Sequence, residues 1–433
     1  MKRMGSVTAI WGCEETMERW ISLLGLGVFV GFAYLISTNR QAVRWRTLAW
    51  GLALQLLLGL VILRLPLGLK LFQGLGNAVS WFLNFSDAGA EFVFGESYTD
   101  HLIAFKVMPT IIFFSSFIAI LYYYGVLQWV IARLATVMIR TMKTSGGESL
   151  VCAANIFVGQ TEAPLLVKPF LKDMTASELH AVMTSGFATI AGGVMAAYIS
   201  FGIPPEHLIA ASVMSAPAAL SISKVMYPET EIAVTAGDHI NTKIEQPYTN
   251  AIDAATVGAL DGMKLVLNVV AMLIAFLALV AAVNGVLGIL GPMVNLPQLS
   301  LEWIFSLVFA PVAWLMGISW TDVGQVAILL GKKTVLTEFL AYLDLRTLIE
   351  NTAKVAADQA PPNSLPTLTE RSQVIATYAL CGFSNIASLG IQIGGIGALA
   401  PERQHDLARL GVRALVAGSL ACFMTACIAG LLI

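Results

Sequence analysis

The stretch Gly159-Gln160-Thr161-Glu162-Ala163-Pro164 places a carboxylate in sequence that is otherwise apolar enough to lie inside a membrane. A second acid, Glu338, lies in a similar setting within Thr337-Glu338-Phe339. An ionisable side chain at membrane depth is costly and by default marks a functional site. Two such acids, one in each half of the chain, predict a solute site between two structural repeats.

Each acid is followed by a related phrase. The first is Gly186-Phe187-Ala188-Thr189-Ile190-Ala191 and the second is Gly382-Phe383-Ser384-Asn385-Ile386-Ala387. Both fit the pattern Gly-Phe-x-[Thr/Asn]-Ile-Ala. A repeated order of acid and phrase favours a duplicated unit, as in membrane proteins built from inverted repeats.

The composition restricts the class of protein. Of 433 residues, 57% are hydrophobic and 12% are charged, which is about half the charged fraction of an average soluble domain. The formal net charge of -2 provides no basic surface for nucleic acid. The five cysteines are scattered without C-x-x-C spacing, so they are predicted to be small core residues. The five histidines lie mostly near predicted loops and are predicted to be solvated.

Eight stretches are long and apolar enough to cross a bilayer as helices of about 20 residues. The predicted fold class is therefore an all-α polytopic membrane protein with eight transmembrane helices. The predicted spans lie near residues 20–37, 48–65, 104–124, 179–202, 207–226, 262–289, 371–398 and 410–432.

Two further apolar stretches, residues 146–173 and 320–345, are too polar at their centres to be simple spans. Each is predicted to form a re-entrant helical hairpin, whose irregular tip is tolerated where it lines a cavity. Amphipathic stretches at 127–143 and 301–318 precede them and are predicted to be interfacial helices. The order of span, interfacial helix, hairpin, span and span runs twice, and an odd number of crossings between the copies makes the second copy inverted.

This order predicts four parts. They are an N-terminal scaffold of spans and an interfacial segment (1–103), a first repeat (104–226), an extramembrane connector (227–261) and a second repeat (262–433). Clusters of arginine after the first and third spans and before the last predict that this side is cytoplasmic and that both termini lie outside.

The polar tips indicate what they bind. Gln160, Thr161 and Glu162 offer donors and acceptors that suit the amide edge of a planar heterocycle. Glu338 and the pair Asn385 and Ser388 suit vicinal hydroxyl groups.

Asn155 and Thr189 offer hard oxygens near glycine-rich backbone, which indicates a cation site. Spacing alone leaves Na+ and H+ coupling open.

Structural roles are an alternative for each group. Glu162 could pair with Lys168 or Lys172, and Glu338 could pair with Lys332 or Lys333. Asn385 and Ser388 could serve only to bond neighbouring helices, as such residues often do in membranes.

At this point the motifs resemble a known family. The stretch from Gly159 to Pro164, the Gly-x-Lys of Gly331 to Lys333 with Glu338-Phe339, and the stretch from Gly382 to Ser388 together resemble the concentrative nucleoside transporters. The Thr-Glu-Ala-Pro form resembles the sodium-coupled branch. The short tail before the first span and the end at Ile433, directly after the last one, resemble a bacterial member.

The resemblance implies a homotrimer in the lipid of a bacterial cytoplasmic (inner) membrane, an elevator-type movement, and no cofactor apart from Na+ as the coupling ion. It also implies roles for individual residues. The nucleobase would contact Gln160, Thr161, Glu162 and Val194; the ribose would contact Glu338, Asn385 and Ser388, with Phe383 lining the site; and Na+ would be held by Asn155, the Val158 carbonyl, Thr189 and the Ile190 carbonyl.

The leading prediction is a Na+-coupled importer of nucleosides and not an enzyme. An H+-coupled nucleoside symporter is the nearest alternative. A membrane-embedded enzyme that uses Glu162 or Glu338 as general acid or base is a different class of alternative, and the chain lacks the H-E-x-x-H and G-x-S-x-G signatures that would favour it. An ion channel is disfavoured because the polar groups form two tips and no ring of carbonyls.

Overall fold

The computed structural model describes residues 4–235, 248–359, 361 and 364–433, with side chains described from residue 16 onward except at 100 and 102. Regular structure in this part of the chain is entirely helical. The predicted all-α class is therefore confirmed.

The chain begins with four helices that precede the repeats. They are α1 (Met4–Leu35), α2 (Trp45–Leu63), α3 (Pro66–Leu83) and α4 (Ser86–Phe94). α1 and α2 correspond to the first two predicted spans. A 3-10 turn (Glu96–His101) and a π-helical turn (Leu102–Val107) follow. The sequence had predicted only one interfacial segment between residue 65 and the third span.

The first repeat has the predicted order of elements. Its helices are α5 (Met108–Tyr123), α6 (Val126–Met142), α7 (Gly146–Ala154), α8 (Ala176–Ala188), α9 (Gly192–Ser200) and α10 (Pro205–Met226). A 3-10 helix, Ala163–Asp173, forms the second arm of hairpin 1, which starts with α7. α6 is the predicted interfacial helix, since it buries one residue per turn from Leu127 to Met142.

The second repeat follows the same order. Its helices are α11 (Ala251–Met293), α12 (Leu301–Val308), α13 (Ala310–Leu315), α14 (Val323–Val335), α15 (Glu338–Ala356), α16 (Glu370–Leu380), α17 (Ile386–Leu399) and α18 (Gln404–Leu432). α14 and α15 form hairpin 2, and α12 with α13 replaces the single interfacial helix that was predicted.

Two predicted spans are interrupted by short non-helical segments. The span at 179–202 is divided between α8 and α9, and the span at 371–398 is divided between α16 and α17. In the described residues, seven helical segments are long and apolar enough to cross a membrane, and α17 is counted as a shorter apolar helix. The eighth crossing is therefore the broken pair α16 and α17, which departs from the continuous helix that its hydropathy had suggested.

Several predicted boundaries differ from those of the structure. α15 continues to Ala356, beyond the end at 345 predicted for hairpin 2, and it begins where the Thr337 side chain accepts a hydrogen bond from Leu340 N. α11 begins at Ala251, inside the predicted connector 227–261, because the Asn250 side chain accepts bonds from the amides of Ile252 and Asp253. Residues 236–247 of that connector lie outside the described residues.

The core lies around α8, α10 and α18. Most of the apolar window of each of these segments is buried, whereas only 6% of the α11 window is buried. α1 and α2 pack on this bundle, and α5 packs mainly on α11. α5 and α11 lie close together at Gly258 of α11, where a β-carbon would come within 2.6 Å of the Ala119 β-carbon of α5. The hairpins are thus attached to a dense bundle, while α11 presents a long apolar surface.

The predictions for cysteine and histidine differ in outcome. Cys152, Cys381, Cys422 and Cys427 are buried free thiols, as predicted; the side chain of Cys13 and all of His239 lie outside the described residues. The prediction that the histidines are solvated is wrong for His180, which is fully buried with its Nδ1 2.8 Å from Ser223 Oγ. Its ring also stacks on Tyr227, a partner that sequence spacing could not indicate.

Candidate functional site

The tip of hairpin 1 is a tight turn between α7 and the 3-10 helix. The amides of Glu162 and Ala163 both donate to the Gly159 carbonyl, at 3.1 and 3.0 Å. A β-carbon at position 159 would overlap the Glu162 carboxylate. Glycine at 159 therefore leaves room for this carboxylate to lie over the turn.

Glu162 is exposed in the described structure. It is the N-cap residue of the 3-10 arm, directly after the tip turn. Lys168 and Lys172 are also exposed, and no ion pair joins either of them to Glu162 in the described part of the chain. The acid is thus available to a ligand at the tip.

Glu338, in contrast, is buried at the first position of α15, with 5% of its surface exposed. Tyr198 Oη donates to Glu338 Oε1 at 3.0 Å. Asn385 Nδ2 donates to Glu338 Oε2 at 2.8 Å. The carboxylate is held by two neutral donors from two other elements, α9 and the start of α17.

The neighbouring lysines bind elsewhere. Lys332 Nζ lies 2.7 Å from Asp344 Oδ2, and the buried Lys333 donates to the Ala379 carbonyl at 2.8 Å. Among the described residues neither lysine forms an ion pair with Glu338. The purely structural pairing considered for this acid is therefore not present, and the remaining lone pairs of the carboxylate are free to accept ligand hydroxyls.

Asn385 has two functions in the fold. It is the N-cap of α17, where its Oδ1 accepts a bond from Ser388 N at 2.8 Å. Its Nδ2 is the group that donates to Glu338. Because both groups of the amide are engaged, the orientation of Asn385 is fixed, and Ser388 is brought beside it.

α17 joins the two hairpin tips. Its N-cap contacts Glu338 of hairpin 2, and seven positions later Gln392 Nε2 donates to Gln160 Oε1 of hairpin 1 at 2.9 Å. Seven residues of α-helix rise about 10 Å. Thr161 also packs on α17, since a β-carbon at Gly395 would come within 2.5 Å of its methyl carbon. The two tips therefore lie along one short helix.

A second cluster lies where α7 and α8 end. Asn155 is the C-cap of α7 and Thr189 is the C-cap of α8. Asn155 Nδ2 donates to Ser185 Oγ at 2.8 Å, while its Oδ1 is buried and has no hydrogen-bond partner in the described structure. Thr189 Oγ1 donates to the Ser185 carbonyl at 2.8 Å, which leaves its lone pairs free.

These groups fit a small hard cation. An unpaired buried acceptor is unfavourable unless something fills its coordination, and the C-terminal ends of two helices favour positive charge. Hydroxyl and amide oxygens are also the ligands that hard cations prefer. Val158 lies in the tip turn and Ile190 in the break after α8; their carbonyls as cation ligands stay a prediction.

The breaks in the two repeats touch each other. Phe383 N donates to the Thr189 carbonyl at 3.2 Å. A β-carbon at Gly382, whose φ is +159°, would come within 2.7 Å of the Phe187 carbonyl oxygen. Phe383 is only partly buried, and Val194 is buried in α9. The predicted cation and solute residues are consequently parts of one connected region.

Three residues of this region were missed by the sequence reasoning. Tyr198 lies four residues after Val194 and so shares its helix face. Ser185 lies four residues before Thr189 in the same way. Gln392 is an amide within the apolar run of α17, and this lone polar residue was a signal that could have been followed.

Comparison with protein families accounts for nearly the whole chain. Residues 207–430 match the family described as Na+ dependent nucleoside transporter C-terminus. Residues 24–97 match its N-terminal counterpart, and residues 104–205 match a family described as nucleoside recognition. The chain belongs to the Na+ dependent nucleoside transporter family. The resemblance stated from the motifs is therefore confirmed.

Curated relatives of the chain agree with this family assignment. The chain is 49% identical over 415 residues to solute carrier family 28 member 3 of Rattus norvegicus, covering 96% of this chain and 59% of the relative. It is 45% identical over 426 residues to sodium/nucleoside cotransporter 1 of the same species, covering 98% and 66%. The chain thus spans about three fifths to two thirds of the length of these curated relatives.

A solved structure of the same family has the same fold. The structure of CNTnw in an inward-facing substrate-bound state superimposes with a TM-score of 0.88 at 39% identity, covering 95% of this chain and 97% of that one. At this identity and coverage, the arrangement of spans and hairpins described above is the fold of this transporter family.

Proposed function

We propose that the protein is a secondary active importer that couples nucleoside entry to inward Na+ flow. The observation that carries the proposal is that α17 joins the two hairpin tips while the ends of α7 and α8 meet beside it. A solute held between Glu162 and Glu338 would contact both repeats at once. Membership of the family supports the same conclusion.

Each hairpin tip contacts a different part of the nucleoside. Gln160, Thr161 and Glu162, with the apolar side chain of Val194, contact the nucleobase. Glu338 accepts hydrogen bonds from the ribose hydroxyls, and Asn385 and Ser388 complete that side of the site while Phe383 lines it. Glu338 is suited to this task because Tyr198 and Asn385 hold its carboxylate in one orientation.

Na+ supplies the driving force. The Asn155 side chain and Thr189, with the carbonyls of Val158 and Ile190, form its site beside the first tip. One Na+ that moves inward gains about 2.3 kcal/mol per 100 mV and about 1.4 kcal/mol per tenfold gradient. Together these are sufficient to concentrate a neutral nucleoside roughly several hundredfold.

Transport proceeds by an elevator-type movement of the hairpin-bearing bundle relative to a scaffold. The packing supports this division, because α5 and α11 pack on each other while α8, α10 and α18 form the core. The long apolar surface of α11 is suited to contact further copies and lipid, which agrees with a homotrimer. The location is a bacterial cytoplasmic membrane.

Uptake by proteoliposomes tests the proposal. With an inward Na+ gradient we expect accumulation of intact radiolabelled uridine, and with choline in place of Na+ we expect none. Accumulation driven by a pH gradient without Na+ would assign H+ as the coupling ion. Recovery of a chemically altered product would instead favour a membrane-embedded enzyme, and the absence of any nucleoside exchange would refute the proposal.

A further inference from the structure

A hydrogen bond from Gln392 holds the Gln160 side chain. Both hydrogens of Gln392 Nε2 are used, one towards Gln160 Oε1 at 2.9 Å and the other towards the Met183 carbonyl at 3.1 Å. Gln392 is fully buried and Gln160 is 8% exposed. The two amides are 232 positions apart in sequence, so this contact links hairpin 1 directly to the second repeat.

The Met183 carbonyl decides the direction of both amides. A backbone carbonyl only accepts hydrogen bonds, so the Gln392 group that faces it must be the NH2. The same NH2 faces Gln160, which must therefore present its oxygen. If the Gln392 amide were rotated by about 180°, its oxygen would lie at hydrogen-bond distance from the Met183 carbonyl oxygen. Both atoms are acceptors, so no hydrogen bond would form between them.

The unfavourable feature of this arrangement is the side-chain oxygen of Gln392. Its Oε1 is buried and has no hydrogen-bond partner in the described structure. A buried acceptor without a partner is unfavourable, so packing alone would favour an apolar side chain at this position. Gly186 adjoins the pair, since a β-carbon there would lie 2.5 Å from Gln392 Nε2 and 2.9 Å from Gln160 Cβ.

We infer that Gln392 is a positioning residue that makes Gln160 a hydrogen-bond donor to the nucleobase, so that the site prefers bases with a carbonyl next to a ring N–H. Because the Gln160 oxygen is directed at Gln392, the NH2 group is the end of the amide that is left to donate to the ligand. Glu162, beside it on the same tip, can only accept when ionised. A donor next to an acceptor complements a carbonyl next to an N–H. This inference rests on the proposed transport of nucleosides.

Two pairs of nucleosides isolate the edge of the base. Uridine and cytidine share the ribose and the ring, but uridine has a carbonyl and N3–H where cytidine has an amino group and a bare nitrogen. Inosine and adenosine differ in the same way at the six-membered ring. In each pair the donors and acceptors are exchanged. We expect the carbonyl member to have a KM about fivefold lower, which corresponds to about 1 kcal/mol for one hydrogen bond.

The experiment measures Na+-driven uptake of all four nucleosides by the wild-type protein and by Gln392→Met, which retains the volume but cannot donate. In the variant the Gln160 amide is free to turn over, so the uridine to cytidine and inosine to adenosine preferences should fall towards one. The apparent Na+ affinity should not change. A structural defect would instead lower the uptake of both members of a pair equally.

Equal KM values within each pair for the wild-type protein would overturn the inference without any variant. A preference that persists in Gln392→Met would overturn it too. If the wild-type protein takes up none of the four nucleosides, the proposed function fails instead, so the two failures are distinguishable. A second variant, Gln160→Glu, offers only acceptors to the base and should shift the preference towards cytidine and adenosine.

Discussion

The phrase Gly-Phe-x-[Thr/Asn]-Ile-Ala lies at the end of a helix in the first repeat and at the start of one in the second. Thr189 terminates α8, whereas Asn385 caps the first turn of α17. The C-terminal end of a helix carries partial negative charge and the N-terminal end carries partial positive charge. The same phrase therefore provides an environment for a cation in one copy and for the Glu338 carboxylate in the other.

The surroundings of the two copies strengthen this difference. Beside Thr189 lies the unpaired Asn155 oxygen, an acceptor that needs a positive partner. Beside Asn385 lies Glu338, whose two oxygens already receive donors from Tyr198 and Asn385. The two similar helix breaks thus have opposite charge preferences, because one lies at the end of a helix and the other at the start of one.

The largest effect is expected at the second copy from Glu338→Gln. The amide keeps the shape but loses the negative charge that strengthens hydrogen bonds from ribose hydroxyls, which are worth about 1.5–3 kcal/mol to a charged group. The ratio of Vmax to KM for uridine should fall roughly 10- to 100-fold. The matched control is Glu350→Gln on the same helix, an exposed acid paired with Arg346. Uptake by Glu338→Gln that equals this control at equal expression would refute the assignment.

The next effect is expected at the first copy from Thr189→Val, which removes one oxygen from the cation site at constant volume. We expect the Na+ concentration for half-maximal uptake to rise about tenfold, as loss of roughly 1.4 kcal/mol requires. Uridine KM at saturating Na+ should change little. Thr425→Val is the control, because the Thr425 hydroxyl makes the same type of bond to a carbonyl four residues earlier. An unchanged Na+ requirement in Thr189→Val would exclude Thr189 as a ligand.

A smaller effect is expected from Asn385→Ser, which tests the two functions of this residue separately. Serine is also a good N-cap, so α17 should still begin there and thermal stability should change little. The donor to Glu338 Oε2 is lost, and uridine KM should rise about five- to tenfold. Thr369→Ser, at the N-cap of α16, should leave uridine KM as it is. If both variants transport alike, the contact with Glu338 has no role in binding.

The smallest effect is expected from Tyr198→Phe. The ring remains stacked on Tyr342, with centroids 4.1 Å apart, but the donor to Glu338 Oε1 is removed. Uridine KM should rise about threefold, near the lower range for one hydrogen bond. Tyr342→Phe removes a hydroxyl that bonds to the Thr377 carbonyl and should have no effect on KM. Equal KM values for the two variants would contradict the role of Tyr198.

Much of the fold and of the candidate site could be predicted from the sequence. The hairpins were predicted because long apolar stretches with polar centres have few other solutions in a membrane. The order of elements in both repeats, the tip residues and Glu338 followed from the same pattern. The interruptions of two spans did not follow, because hydropathy averages over a window and does not register a short break such as the one after Leu380.

Other features depended on contacts between distant parts of the chain. Glu162 is exposed although the sequence around it is apolar. The burial of His180 depends on Ser223 of another helix. The contact of Gln392 with Gln160 depends on how α17 packs on hairpin 1. Such pairings are set by tertiary packing and have no local signature.

The most direct test of the account is the dependence of uridine affinity on Na+ in the purified protein. If the two helix breaks form one coupled site, saturating Na+ should lower the uridine Kd at least tenfold relative to choline, and uridine should increase the affinity for Na+ by the same factor. Thr189→Val should require more Na+ to reach the same uridine Kd. A uridine Kd that is the same in Na+ and in choline would contradict the account.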